Sequence, residues 1–165
     1  MKSQQILPIV KEWQERPLEE VYAVVFMDAI HYHVRSEGRI VKRAVYIALG
    51  IDMNGKKDVL GMYVGENESA KIWHDNWATL STYFKYPEAV RRLIYTTNAI
   101  EGFNRQLRKV TKSKTVFPSD DSLLKMLYLA TMDITKKWTG HRQDWGQIHS
   151  QLEIYFEERL IGRSL

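Results

Sequence analysis

Residues 21–34, VYAVVFMDAIHYHV, form an almost unbroken apolar run rich in β-branched and aromatic side chains. That pattern predicts a central strand buried on both faces. The turn SEGR (36–39) leads into IVKRAVYIALGID, where Val41, Arg43, Val45, Ile47 and Leu49 alternate onto one face. Asn54-Gly55 is a strong hairpin signal, and KDVLGMYVG resumes the sheet after it. Beyond GENESAK (65–71) the period becomes helical. Trp73 to Phe84 is a candidate helix, and Pro87 suits the first turn of a helix over EAVRRLIY. Asn98 is placed to cap the next helix. Pro118-Ser119-Asp120 opens a long amphipathic one reaching about Trp138, and HRQDWGQIHSQLEIYFEERL supplies the last. Residues 1–20 read as a helical or irregular lead-in. Strands first and helices afterwards predict an α+β fold, a three-stranded antiparallel meander followed by about five helices.

Composition narrows the classes. A chain of 165 residues with 44% hydrophobic and 12% aromatic residues has enough apolar material for one ordinary core, and a single domain over 1–165 is expected. The absence of cysteine excludes disulfides, thiolate metal sites and a cysteine nucleophile. MKSQQILPIVKEW contains no apolar run suited to a signal peptide or a membrane span, so a cytoplasmic location without membrane contact is the expectation. The net charge of +4 suits a polyanionic partner without requiring one.

Three groups of residues invite chemistry. Asp28 interrupts the most apolar strand. A carboxylate there needs hydrogen bonds, a cation or an exit to solvent, so it is either a strand-end acceptor or a ligand offered to a hard metal ion. His31 and His33 share a strand face opposite to that of Asp28, and two imidazoles without a third ligand make a poor metal site. They read as ordinary strand residues. On a wheel of 100° per residue, Ile100, Phe103, Leu107 and Val110 fall within about 80° as the core face of the Asn98 helix, and Glu101, Arg105, Arg108 and Lys112 fall within about 60° on an adjacent stripe. Local physics favours a cap for Glu101, because Asn98-x-x-Glu101 matches a capping box, with Glu101–Arg105 a favourable i,i+4 pair. The basic run Arg105, Arg108, Lys109, Lys112 and Lys114 reads equally as a solvated face or a phosphate-binding surface. Walker, Rossmann, Gly-x-Ser-x-Gly and His-Glu-x-x-His patterns do not occur. The tryptophans Trp73, Trp77, Trp138 and Trp145 suit core positions.

Four stretches together resemble one family: RPLEEVYAVVFMDAIHYHVR, KRAVYIALGIDMNGKKDVLGMYVGENESAK, YPEAVRRLIYTTNAIEGFNRQLRKVTK and FPSDDSLLKMLYLATMDITKKW. They are similar to the Mutator-type insertion-sequence transposases of bacteria, over nearly all of residues 11–161. TTNAIEGFNRQLRK and the pair VVFMDA and LGIDMNGKKDVLG are the most specific parts. The resemblance implies a ribonuclease-H-like catalytic core in which two aspartates and a glutamate hold Mg²⁺ or Mn²⁺ for phosphodiester cleavage and strand transfer at transposon ends. It gives Asp28 the place of the first catalytic aspartate and Glu101 that of the glutamate, both as metal ligands. Asn104, Arg105, Arg108, Lys109 and Lys112 become DNA-binding partners of phosphate.

The departures from the family pattern carry equal weight. The strand with the second aspartate, an Asp-Gly-Leu-like motif, and a Cys/His-containing stretch have no counterpart, and Lys71-Ile72-Trp73 joins the flanking segments directly. The family's N-terminal DNA-end-recognition region also has no counterpart. Residues 21–71 are then the first half of the core and 72–165 its helical C-terminal part. The resemblance implies DNA transposition, with this copy catalytically defective and its cation binding weak. The rival readings are a DNA-binding or dimerising fragment that interferes with an intact transposase, and an inert relic. Self-association or mixed assembly with an intact copy is expected, because residues 21–30 lose the strands that would cover them.

Overall fold

The computed structural model describes residues 6–65, 88–95 and 98–158. Helix α1 (Ile6–Gln14) precedes three strands, β1 (Tyr22–Ser36), β2 (Arg39–Asp52) and β3 (Lys57–Gly65). Four helices follow: α2 (Glu88–Tyr95), α3 (Asn98–Thr111), α4 (Asp120–Thr135) and α5 (Trp145–Tyr155). The fold is α+β, and the sheet is an antiparallel meander in the order β1-β2-β3. The helix expected over Trp73–Phe84, with its two tryptophans, and the Lys71-Ile72-Trp73 junction lie outside the described residues, as does Pro87.

Turn chemistry sets the register. Glu37 and Gly38 both adopt positive φ, 49° and 76°, between the paired residues Ser36 and Arg39. Two left-handed residues give the hairpin a twist that matches its strands. At the second turn Asp52 Oδ1 accepts from the amides of Asn54 and Lys56, and Gly55 takes φ 77°. A Cβ on Gly55 would stand 2.6 Å from the ring of Trp145, so glycine is required by both its conformation and its neighbour. Trp145 Nε1 also donates to the Met53 carbonyl at 2.9 Å, fixing α5 to this turn.

One face of the sheet carries the core. Phe26, Ile30 and Val34 of β1, Val45, Ile47, Leu49 and Ile51 of β2, and Val59 and Met62 of β3 pack against Leu93 of α2, Phe103 and Leu107 of α3, Leu123 and Leu127 of α4, and Ile148 and Leu152 of α5. Ser119 caps α4, its Oγ accepting from the Ser122 amide. Arg43 Nε reaches Asp120 at 3.2 Å, tying β2 to the first turn of that helix.

The expectation that β1 is central and buried on both faces is corrected. It is an edge strand among the described residues, and its burial alternates. Met27 is 76% exposed and Val25 is also exposed, because all the described helices that pack on the sheet's core lie against the opposite face. The run misleads because apolar residues at 25, 27 and 29 fill the outward positions as well. Val110, expected in the core, is 47% exposed. The buried arc of α3 is instead Ile100, Phe103, Asn104, Leu107 and Thr111, so the helix is rotated by a few tens of degrees from the apolar arc.

Candidate metal and nucleic-acid site

The site is built where β1 meets α3. Asp28 lies mid-strand, opposite Ile47, with the parity of Phe26 and Ile30, so its side chain leaves the sheet on the helix-covered side. It is nonetheless exposed, because β1 is at the edge. Its Oδ2 accepts from Asn104 Nδ2 at 2.6 Å. Its Oδ1 accepts from the backbone amide of Ala29 at 2.8 Å.

The direction of that amide follows from the far end of the strand. There Phe117 N donates to the His33 carbonyl and Arg35 N donates to the Phe117 carbonyl, both at 2.8 Å. Backbone groups of odd-numbered residues therefore point away from β2, as the alternation of an antiparallel ladder requires. Ala29 belongs to this set, so the Asp28 carboxylate leans over the open edge of β1. The alternative role at a strand end is set aside by this mid-strand position.

Asn104 was expected to face phosphate beside Arg105 and Arg108. The structure instead buries it to 1% exposure, on the sheet side of α3. Its Nδ2 holds Asp28, and its Oδ1 is buried without a hydrogen-bond partner. On the helix wheel Asn104 borders the exposed stripe, about 40° from Arg108 and 60° from Glu101. Glu101 is exposed and lies one turn before Asn104, a separation of about 5–6 Å between Cβ atoms on a helix. Arg105, Arg108 and Lys109 are exposed along the same helix, and Lys112 is exposed in the turn just past its end. The structure thus sets Asp28 against the middle of α3, one helical turn beyond Glu101, with Arg105, Arg108 and Lys109 exposed along the rest of the helix. In the capping alternative the Glu101 carboxylate reaches back to the Asn98 backbone amide, and the Asn98 side chain that would complete the box lies outside the described residues.

Hard oxygen donors with free lone pairs suit Mg²⁺ or Mn²⁺. Each Asp28 oxygen has two lone-pair directions and spends one on the contacts above, so the carboxylate retains acceptor capacity for a cation. Among the described residues, no group of three or more His, Asp or Glu is placed to hold a metal ion. Asp120 pairs with Arg43 and Asp133 with Lys136, and both stand in helices. His31 and His33 are exposed on the outward side of β1, away from Asp28. The donor set therefore fits a partial site for one ion rather than a complete site for two. The signal that sequence reading missed is the polar residue of α3 on its buried arc: Asn104 sits at the spacing of a core position, i+4 from Ile100.

Among the described residues, no helix is long and apolar enough to cross a membrane. The sequence profile described as "Transposase, Mutator family" matches residues 2–81 and 72–141. The probable transposase for an ISRM3-like insertion sequence element of Sinorhizobium fredii is 25% identical over 259 residues, an alignment covering 96% of the chain and 65% of that relative. The transposase for insertion sequence element ISRM3 of Rhizobium meliloti is 25% identical over 258 residues, covering 95% of the chain and 64% of the relative. The transposase for insertion sequence element IS406 of Burkholderia multivorans is 47% identical over 64 residues, covering 39% of the chain and 16% of the relative. The chain thus spans less than two thirds of the length of the first two relatives. Since 96% of 165 residues is about 158, about 100 of the 259 aligned positions have no counterpart in the chain. The profile match is also split in two, its second part beginning at residue 72, beside the junction expected from the sequence. The chain belongs to the Mutator family of transposases.

Proposed function

We propose that this chain is a metal-dependent transposase core that retains two of its three catalytic carboxylates, Asp28 and Glu101, and binds DNA without completing strand cleavage or transfer. The observation that carries the reading is the Asp28–Asn104 contact. It fixes an exposed, mid-strand carboxylate against the helix that bears Glu101 one turn earlier and the basic stripe beyond. Asp28 and Glu101 would hold a divalent cation, Mg²⁺ or Mn²⁺, which when bound would supply Lewis-acid polarisation of a phosphate oxygen. Arg105, Arg108, Lys109 and Lys112 bind the DNA backbone and set its register along α3, with no base-specific readout. The homologous relatives, named as transposases of insertion sequence elements, support DNA as the partner. About 100 positions without counterpart support the loss of the segment that would bring the third carboxylate. Two carboxylates cannot offset the charge of a two-ion centre, and lost positioning of the reacting ends alone removes many powers of ten in rate.

The test uses purified protein with labelled inverted-repeat DNA in Mg²⁺ and in Mn²⁺. Sequence-independent binding with Kd on the order of 10⁻⁴–10⁻⁶ M and steep loss with salt is expected. Charge reversal of Arg105 and Arg108 together removes most of it. No strand is cut, pre-nicked ends included. Cleavage present in the wild type and absent in Asp28→Ala would show that another residue completes the site, and salt-independent binding would remove the role given to α3.

The open edge of β1 favours a second reading, in which the chain pairs with a further transposase copy and interferes with it. Light scattering that returned only monomers at tens of micromolar, alone and mixed with an intact relative, would exclude it.

A further inference from the structure

Asn104 occupies a position where an apolar residue would serve the core better. Its neighbours on the buried arc are Ile100, Phe103 and Leu107, and a side chain 1% exposed among them carries one acceptor with no partner. Leaving a buried polar atom unsatisfied costs about 1–3 kcal/mol. Turning the amide over does not help, because it would set Oδ1 against a carboxylate oxygen at 2.6 Å with no hydrogen between them. The charge-assisted bond from Nδ2 to Asp28 offsets the cost but leaves little net gain. Stability therefore does not account for the residue.

Direction does account for it. Ala29 N holds one oxygen of Asp28 at 2.8 Å and Asn104 holds the other at 2.6 Å, so both oxygens of an exposed carboxylate are fixed. Without Asn104 the carboxylate keeps only a contact to its own neighbouring amide, which a rotating side chain gives up easily. With it, the carboxylate is locked on the α3 side of the strand edge, where Glu101 stands one turn away. We propose that Asn104 is a positioning residue: it orients the Asp28 carboxylate toward a divalent cation shared with Glu101, and the unsatisfied Oδ1 is the structural cost of that orientation. The inference rests on the reading of Asp28 as a cation ligand. It assigns Asn104 no contact with DNA.

The test is Mn²⁺ affinity, read from the electron paramagnetic resonance signal of free Mn²⁺, beside the melting temperature, in wild type, Asp28→Ala, Asn104→Leu and Asn104→Ala. Partners that orient metal ligands are typically worth about 10–100-fold in affinity, so both Asn104 variants should weaken Mn²⁺ binding at least tenfold. Asn104→Leu should melt at the wild-type temperature or above it, since it removes an orphaned acceptor and fills the space. Asn104→Ala should melt lower, because it leaves a cavity. Affinity that falls equally in two variants of opposite stability supports positioning. Affinity that follows melting temperature, or is unchanged in Asn104→Leu, overturns it. If the wild type binds Mn²⁺ no better than Asp28→Ala, the underlying reading of Asp28 fails and this inference with it. Wild-type binding that is lost in Asp28→Ala and kept in Asn104→Leu removes this inference alone.

Discussion

Along β3 the strand's carbonyls are taken up by side chains from the segment that precedes the sheet. Arg16 donates to the Val59 carbonyl at 2.8 Å and to both oxygens of Asp58, and Gln14 Nε2 donates to the Met62 carbonyl. Along β1 the outward groups are satisfied at one end only, where Phe117 bridges His33 and Arg35. Among the described residues, Val25, Met27 and His31 offer theirs with no covering strand, and Ala29 finds only the Asp28 carboxylate. Among the described residues, one edge of the sheet is closed by local chemistry and the other is left as a template. The open stretch is also the one that holds Asp28. Among the described residues, the edge that carries Asp28 is the one without a covering segment along most of its length.

The closed end of β1 can be broken at Phe117, where the largest effect is expected. The side chain is 1% exposed, and its ring meets Tyr32 edge-on at 5.8 Å. Phe117→Ala should cost about 3–5 kcal/mol, read as a lower denaturant midpoint at unchanged slope. A loss under about 1 kcal/mol would mean that the backbone bridge alone closes this end.

The β3 edge is tested at Arg16. Its guanidinium reaches Trp13, Asp58 and Val59 and stacks 4.8 Å from the Trp13 ring centre. A lysine cannot reproduce a planar fork that bonds several acceptors at once. Arg16→Lys should cost about 1–2 kcal/mol in denaturant unfolding and Arg16→Ala somewhat more, the pair with Asp58 being partly exposed and discounted for solvent. Equal stability of the lysine variant and wild type would reduce the contact to a surface charge pair.

The open end of β1 is probed at Met27. Met27→Lys should leave stability within about 0.5 kcal/mol, because the side chain already faces solvent. Its effect should fall on assembly: dimers or larger species are expected of the wild type at tens of micromolar, and the lysine should shift them toward monomer by placing charge on a pairing edge. Identical light-scattering masses for the two proteins would show that association, if present, uses another surface.

The meander and its two turns were legible because Glu37-Gly38, Asn54-Gly55 and a period of two are local signals. The placement of Asp28 and Glu101 came from motif resemblance, and periodicity alone favoured a cap for the glutamate. Two misreadings share a cause. Apolar Val25 and Met27 face solvent, and polar Asn104 faces the core, so in each case the polarity of the residue ran against its burial. Such inversions depend on which elements meet across the sheet, information that spacing along one helix or strand does not hold. Val110 was misplaced with them, since the helix turns its Asn104 side inward to meet Asp28.

The smallest effect concerns tyrosine ionisation at the two ends of β1. Burial, before any other cause, raises the pKa of Tyr32 above the ordinary value, against opposing contributions from the Thr111 hydroxyl and the Arg108 charge. Burial also leads in raising Tyr22 at the start of β1, where the Glu19 amide opposes it and Asp58 adds to it. A tyrosine is an acid whose neutral form is favoured when its folded pKa lies above the unfolded value of about 10. Its contribution to stability is therefore full below pH 10 and is lost as pH rises from there through the folded pKa. Tyr32→Phe should cost at most about 1 kcal/mol at neutral pH, since the Thr111 hydroxyl donates to Tyr32 Oη only at 3.4 Å. Above pH 10 the variant should lose stability less steeply than wild type, and the difference between them should shrink or change sign. Tyr22→Phe should flatten the same alkaline limb less, because that ring is only partly buried, lying over Gly50 with its hydroxyl toward Asp58 of β3. Unfolding curves at pH 7, 9, 10 and 11 decide it: parallel losses in wild type and Tyr32→Phe would show that the phenol at the closed end ionises without cost to the fold.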